Sequence, residues 1–281
     1  MSEPLRFASF NLLSGRSMDD GQILSARLTE AVLQLDVDVL AVQEVDRSQP
    51  RSGGVDQLAV VAEAMGASAA AFAPALHGLP GPGRAWRPAS EPPLVWAPGA
   101  GLSAGAPSGD PAAEGPMYGV GLASRWPVLE WHVRRFPAAR GVLPLLVPSE
   151  PVGRPQLIIV PEEPRVALAA VVQTPRGRVT VISTHLSFVP FAAARQLRSI
   201  TRWAAMLPGP RLLLGDLNLF GSLPARLTGW RRLASAATYP AANPRLQLDH
   251  ALGDGWGAVA ATTTTPVLRV SDHRALVVHL P

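Results

Sequence analysis

The chain has 281 residues, 47% hydrophobic and 16% charged, with 29 Pro, 25 Gly and no Cys. That length suits one large domain or two small ones, and the lack of Cys excludes a disulfide framework, thiolate metal sites and a Cys nucleophile. All 25 Lys+Arg residues are Arg. A formal net charge of only +4 therefore goes with a strongly basic isoelectric point, because arginine stays protonated where lysine begins to titrate.

In chain order, strand and helix signals alternate from the start. Residues 5–12 read as a strand, and apolar residues from Ile23 to Leu35 recur at helical spacing in a segment beginning near Asp20. Residues 37–42 form a short β-rich run ending at Gln43-Glu44. A second helix is expected over about 55–65, with Gly66 as its C-cap. Two stretches then break the rhythm: residues 74–116 hold 10 Pro and 8 Gly, and residues 137–164 hold 7 Pro. Both are expected to be insertions over one face of a single domain spanning 1–281.

Strands are predicted at 118–123, 128–136, 165–173 and 179–185, followed by a helix over about 190–207 and a buried strand over 211–216. Further strands are expected at 246–252, 267–270 and 275–280. This order implies an α/β or α+β fold. The apolar stretch 141–160 is broken by four prolines and carries Glu150 and Arg154, so it predicts no membrane span. No targeting segment is recognisable, and a cytoplasmic location is expected.

Acidic, amide and imidazole residues cluster at the ends of these apolar runs. Asn11, Glu44, His185, Asp216 and Asn218, and Asp249 each follow one, and Asp272 and His273 precede the last strand. Strand ends in an α/β sandwich converge on one rim, where ligands bind. Asp216 and Asn218 stand at i and i+2, so on an extended segment both leave the same face. Asn11, Glu44 and Asp272 are oxygen donors, which suits hard Mg²⁺ or Mn²⁺. His185 and His273 are left for proton transfer or transition-state stabilisation. Taken singly, each of these residues has an ordinary turn or core explanation; joint occurrence in this order does not.

The set resembles the endonuclease/exonuclease/phosphatase superfamily. The resemblance rests on Ser9-Phe10-Asn11, residues 40–45, Tyr118-Gly119 through Val128, Ser183-Thr184-His185-Leu186, Gly215-Asp216-Leu217-Asn218, Leu248-Asp249-His250 and Ser271-Asp272-His273. It implies a four-layer sandwich of two packed β-sheets flanked by helices, hydrolysing phosphodiesters with Mg²⁺ or Mn²⁺. By the same resemblance Glu44 is the principal metal ligand with Asn11 and Asp272 contributing, and Asp216 and Asn218 align water and phosphate. His185 is the imidazole supported by Asp249, and His273 contacts the scissile phosphate. The Thr184-His185-Leu186 pattern is similar to the pancreatic-type deoxyribonuclease, sphingomyelinase and deadenylase branches. Many relatives carry Asn where this chain has Val120. No carboxylate partner for His273 is evident, Glu91 and Glu114 being the candidates.

The substrate stays open between nucleic acid, supported by arginines such as Arg134, Arg135, Arg195, Arg198 and Arg202, and a phospholipid or small phosphoester. For the latter, Trp86, Trp96, Trp126 and Trp131, with the Pro-rich loops, offer an apolar wall or an interfacial contact, the alternative being ordinary packing. A catalytically inactive binding module on the same fold is the alternative of another class. No obligate protein partner is evident.

Overall fold

A computed structural model describes residues 3–81, 83–99, 101–103, 115–139, 142–147 and 156–281. Period-two alternation in the strands sets its layers. In β1 (Leu5–Asn11), Phe7 faces inward, toward the second sheet, while Ala8 and Phe10 face the helices. β2 (Val39–Arg47) repeats this, with Val39 and Ala41 inward and Leu40 and Val42 outward.

These strands lie in a nine-stranded sheet with β3 (Ala69–Gly78), β4 (Trp86–Pro88), β5 (Leu94–Ala97), β6 (Gly101–Ser103), β7 (Met117–Ser124), β16 (Thr262–Thr264) and β17 (Leu276–Leu280). Its order is β16-β17-β1-β2-β7-β3-β5-β6, with β4 pairing β3. The second sheet has six strands, β14-β15-β13-β12-β11-β8. They are β8 (Val128–Phe136), β11 (Arg165–Thr174), β12 (Gly177–His185), β13 (Arg211–Asp216), β14 (Arg231–Arg232) and β15 (Asp249–Asp254). β9 (Val142–Val147) and β10 (Gln156–Pro161) pair with each other as a separate ribbon.

The core between the sheets is built largely from aliphatic residues such as Ala41, Ala71, Ala170, Val181 and Leu214. Phe7 is fully buried there, with Trp126 and Trp256 edge-on to its ring at 6.1 and 6.3 Å. Truncating a ring so placed typically costs about 3–5 kcal/mol. Helices α1 (Ser25–Leu35) and α2 (Gln57–Met65) cover the outer face of the first sheet. α3 (Pro190–Ala204) and α4 (Leu223–Thr228) cover that of the second. The result is the expected four-layer sandwich.

Three expectations shift for local reasons. α1 starts at Ser25, not near Asp20, because Asp20 accepts the Gln22 backbone N–H at 3.0 Å and both terminal nitrogens of Arg27 at 2.7 Å. Residues 267–270 form no strand: Leu268 and Val270 alternate because they anchor a loop against the first sheet's outer core. The edge strand is β16 instead, pairing with β17. Within 74–116, the described residues extend the first sheet through β4, β5 and β6 rather than lying over a face. Gly66 does cap α2, at φ 62°.

Buried His250 on β15 makes the fold acid-sensitive. Its Nε2 meets the Leu219 carbonyl at 2.8 Å, and its Nδ1 has no partner. Burial, outweighing the Leu219 bond and the nearby Asp249, lowers its pKa from 6.5 to about 4. Between these values the unfolded chain takes up a proton that the native state refuses, so stability falls as pH drops and levels off below about 4. The shift corresponds to roughly 3 kcal/mol. Urea midpoints measured between pH 7 and 4 should fall, and His250→Gln should flatten that slope; an identical slope in the variant would remove His250 as a cause.

Candidate active site

Four central strands lose their apolar character toward the same end. Along the inward face, β1 runs Phe7, Ser9, Asn11, and β2 runs Val39, Ala41, Gln43. In the second sheet, β12 runs Val181, Ser183, His185, and β13 runs Leu212, Leu214, Asp216. β1 and β2 are parallel, as are β12 and β13, so each pair delivers its polar ends side by side. At the floor of the cleft Gln43 Nε2 donates to Ser183 Oγ at 3.4 Å, joining the sheets.

Backbone geometry then turns individual side chains into the cleft. Glu44 sits at a bulge between Val42 and Val45 with φ 54°, a left-handed conformation that costs a non-glycine residue energy. Asn218 and Ser271 share this trait at φ 50° and 75°. Gly215 is required by close approach: a Cβ there would lie 2.0 Å from the Thr184 carbonyl oxygen on the neighbouring strand.

Asp216 is the hub. Asn11 Nδ2 donates to its Oδ2 at 3.1 Å and to Glu44 Oε1 at 2.9 Å, while Leu13 N–H donates to Asn11 Oδ1 at 3.0 Å. The Asn218 backbone N–H donates to Asp216 Oδ1 at 3.0 Å. His185 Nε2 and His273 Nε2 stand 3.6 and 3.8 Å from Asp216 Oδ2. Asn218 Nδ2 lies 3.2 Å from His185 Nε2 and donates to the Leu186 carbonyl at 3.0 Å. The eight residues expected from sequence are thus tied to one cleft, with Asp272 joining through its charge on Glu44, His273 and Tyr239.

One expected pairing is corrected. Asp249 does not support His185; its Oδ2 lies 2.8 Å from His273 Nδ1. β15 runs antiparallel to β13 with Asp249 opposite Asp216, which aims the carboxylate across to the first sheet's loop. His273 thereby has the carboxylate partner that sequence reading did not find. Glu91 instead meets His77, and Glu114 lies outside the described residues. His185 is held by Arg165, whose Nη1 lies 3.2 Å from Nδ1. Arg165 is in turn fixed by Glu162, Nε to Oε1 at 3.0 Å, and Ser187 Oγ donates to Glu162 Oε2 at 2.9 Å. Arg165 and Glu162 were missed because they sit at the seam between a Pro-rich stretch and a strand, with no motif spacing to mark them.

The electrostatics follow from burial. Desolvation raises Glu44, and Asp272 adds repulsion, against the Asn11 hydrogen bond. Desolvation also raises Asp216, to about 7, with His273 opposing it and Asp249 reinforcing it. Burial works against a charged His273, but Asp249, Asp216 and Asp272 outweigh it and raise its pKa to about 10. His185 goes the other way, held well below 6.5 by burial and by the charges of Arg165 and His273. The two imidazoles are therefore in opposite protonation states at neutral pH. Burial, with Glu44 and Glu163 nearby, keeps the Tyr118 hydroxyl protonated beside them.

Three of the four tryptophans expected to form a wall pack elsewhere. Trp96 is buried beneath the first sheet's helices, while Trp126 and Trp131 pack on the core between the sheets. Arg135 is likewise structural, donating to the backbone carbonyls of Pro74 and Glu91. Arg195, Arg198 and Arg202 are exposed along α3.

This fold matches known proteins over nearly the whole chain. The sequence pattern of the endonuclease/exonuclease/phosphatase family matches residues 8–273, and the chain belongs to that family, whose members hydrolyse phosphoesters. Among solved structures, an endonuclease/exonuclease/phosphatase from Beutenbergia cavernae is 21% identical, covering 99% of this chain and 72% of its own, with a TM-score of 0.61. One from Bacteroides vulgatus is 13% identical, covering 100% and 99%, with a TM-score of 0.62. A mannosyl-6-phosphatase from Bacteroides thetaiotaomicron is 13% identical, covering 99% of each chain, with a TM-score of 0.56. These likenesses establish the fold. No curated relative matches the chain significantly.

Proposed function

We propose that the chain is a phosphodiester hydrolase dependent on Mg²⁺ or Mn²⁺, acting by attack of water on phosphorus. One observation carries this reading. Asp216 is linked on one side to Asn11 and Glu44 and on the other to His273 and Asp249. Groups suited to a hard cation and groups suited to proton transfer therefore share one carboxylate.

The donor set fits such a cation. Among the described residues no three imidazole or carboxylate groups form a ready-made cage, and Mg²⁺ needs only one or two carboxylates, completing its shell with water and substrate phosphate. Glu44 and Asp272 are half-buried and desolvated, with Asp272 repelling Glu44 and Asp249 repelling Asp272, a strain that a cation relieves. Glu44 is the principal ligand, Asp272 the second, and Asn11 contributes through the free lone pair of Oδ1. Bound there, the metal neutralises phosphate charge and polarises the phosphoryl group.

The chain's own residues perform the rest. Asp216, oriented by the Asn218 N–H and Asn11, takes the proton of the attacking water. The Asn218 amide positions a phosphate oxygen. His273, kept charged by Asp249, donates to a phosphoryl oxygen or to the leaving alkoxide. With no lysine in the chain, all protein positive charge at the phosphate comes from imidazolium or guanidinium.

Two substrate readings differ in the surface they use. Exposed Arg198 and Arg202 of α3 suit a polyanionic backbone. A groove of about 690 Å³ between the end of β8 and the first turns of α3, lined by Phe136, Val189, Phe191 and Arg195, suits a smaller ester with an apolar group. The test is a panel of bis(p-nitrophenyl) phosphate, plasmid DNA, RNA, phospholipid vesicles and mannose 6-phosphate, with each metal and with EDTA. The expected result is metal-dependent, EDTA-sensitive turnover of the activated diester. Nucleic-acid cleavage that weakens steeply with salt favours the arginine surface; lipid or small-ester turnover alone favours the groove. Binding without turnover of any substrate overturns the reading in favour of a binding module.

A further inference from the structure

His185 faces a donor at each ring nitrogen: Arg165 Nη1 at 3.2 Å from Nδ1, and Asn218 Nδ2 at 3.2 Å from Nε2. A neutral imidazole has one lone pair, so only one of these contacts is a hydrogen bond to the ring. Arg165 has no acceptor atom and is charged, and a proton on Nδ1 would point directly at the guanidinium. Asn218 has another use for its amide, donating to the Leu186 carbonyl at 3.0 Å. A proton on Nε2 faces the Asp216 carboxylate at 3.6 Å. The lone pair therefore belongs on Nδ1.

We propose that Arg165 is a positioning residue that locks His185 as the neutral tautomer with its proton on Nε2, making it an obligatory hydrogen-bond donor to the cleft. The lock is built in depth. Gln196 on α3 accepts the Ser187 N–H at 2.9 Å, Ser187 donates to Glu162, and Glu162 holds Arg165 from the side opposite His185. Every member is buried. A second imidazolium beside the charged His273 is thereby avoided, and the two rings divide the work. His273 exchanges protons; His185 only offers its Nε2 proton, which faces Asp216 at 3.6 Å at rest and is donated to a phosphoryl oxygen when substrate is bound. Its use on a phosphoryl oxygen rests on the phosphodiesterase reading above; the tautomer itself does not.

The test is two-bond proton–nitrogen correlation spectroscopy on protein with ¹⁵N-labelled histidine, the His185 signals being assigned by their loss in His185→Gln. The expected spectrum has an unprotonated Nδ1 and a protonated Nε2, unchanged across pH 5–8. A proton on Nδ1, or conversion to imidazolium within that range, overturns the proposal. In Arg165→Met the lock should be lost, giving a mixture of tautomers, with kcat reduced tenfold or more and KM moved less. Arg165→Gln, whose amide donates to Nδ1, should restore both the spectrum and most of kcat. Retention of the pure Nε2–H form in Arg165→Met refutes the role of Arg165. If that variant misfolds because Glu162 is left buried without a countercharge, Glu162→Gln/Arg165→Met makes the same comparison. A wild type with the expected spectrum but no phosphodiesterase activity would remove the functional reading and leave the lock standing.

Discussion

His273→Ala is expected to lower kcat/KM on an activated phosphodiester by about a thousandfold, within the range typical of a lost general acid–base group. The size follows from its position. His273 is the ring held in the charged form at neutral pH, with Asp249 at 2.8 Å on Nδ1 and Asp216 at 3.8 Å on Nε2. It also bridges the two sheets, so its removal leaves Asp249 buried with no partner, a penalty of roughly 3–5 kcal/mol. Rates and unfolding must therefore be measured together. A folded variant, checked by circular dichroism, with activity within threefold of wild type would sink the assignment. Recovery of activity with added imidazole would separate the chemical role from the structural one.

Glu44→Gln is expected to cost about a hundredfold or more in Mg²⁺ affinity and a comparable loss of activity at fixed metal, partly recovered by raising the metal concentration. The change is nearly isosteric and keeps an oxygen that can accept the Asn11 hydrogen bond. The variant thus isolates charge. A second readout has the opposite sign. Burial and Asp272 both disfavour ionised Glu44, so removing that charge should raise the melting temperature of the metal-free protein. Wild-type metal affinity in Glu44→Gln would show that Glu44 is not the principal ligand, whatever happens to the rate.

Much of this site was readable in the sequence because the strands announce it. Apolar runs that end in Asn11, Glu44, His185 and Asp216 fix both the strand and the point where it reaches the rim, since parallel neighbours must present their ends together. Wiring was less legible. Asp249 and His185 each follow an apolar run in the sequence, but Asp249 opens β15 where His185 ends β12, and only the antiparallel placement of β15 beside β13 shows that Asp249 reaches His273. Arg165 heads a strand rather than ending one, and alternation groups it with Ala167 and Ala169 on the helix-facing side; its role depends on Glu162 and on the bend that brings Ser187 beside them. Residues 267–270 misled for the converse reason, since period-two burial also describes a loop pinned through alternate side chains. The tryptophans carried no positional signal, and packing claimed the three that are buried or partly buried against the core.

The sheets meet through small side chains, and their junction has a consequence for how activity depends on integrity. Asn11, Glu44, Asp272 and His273 come from one slab of the sandwich; His185, Asp216, Asn218 and Asp249 come from the other. Neither slab holds a complete set. Gln43 to Ser183, Asn11 to Asp216 and Asp249 to His273 are among the rivets between them, and they lie at the cleft. A slip of one slab past the other by a single residue, with every strand and helix intact, would part Asp216, the carboxylate proposed to activate water, from the residues proposed to hold the cation. Catalysis therefore reports on the alignment of the halves, a property that spectroscopic measures of secondary structure do not sense.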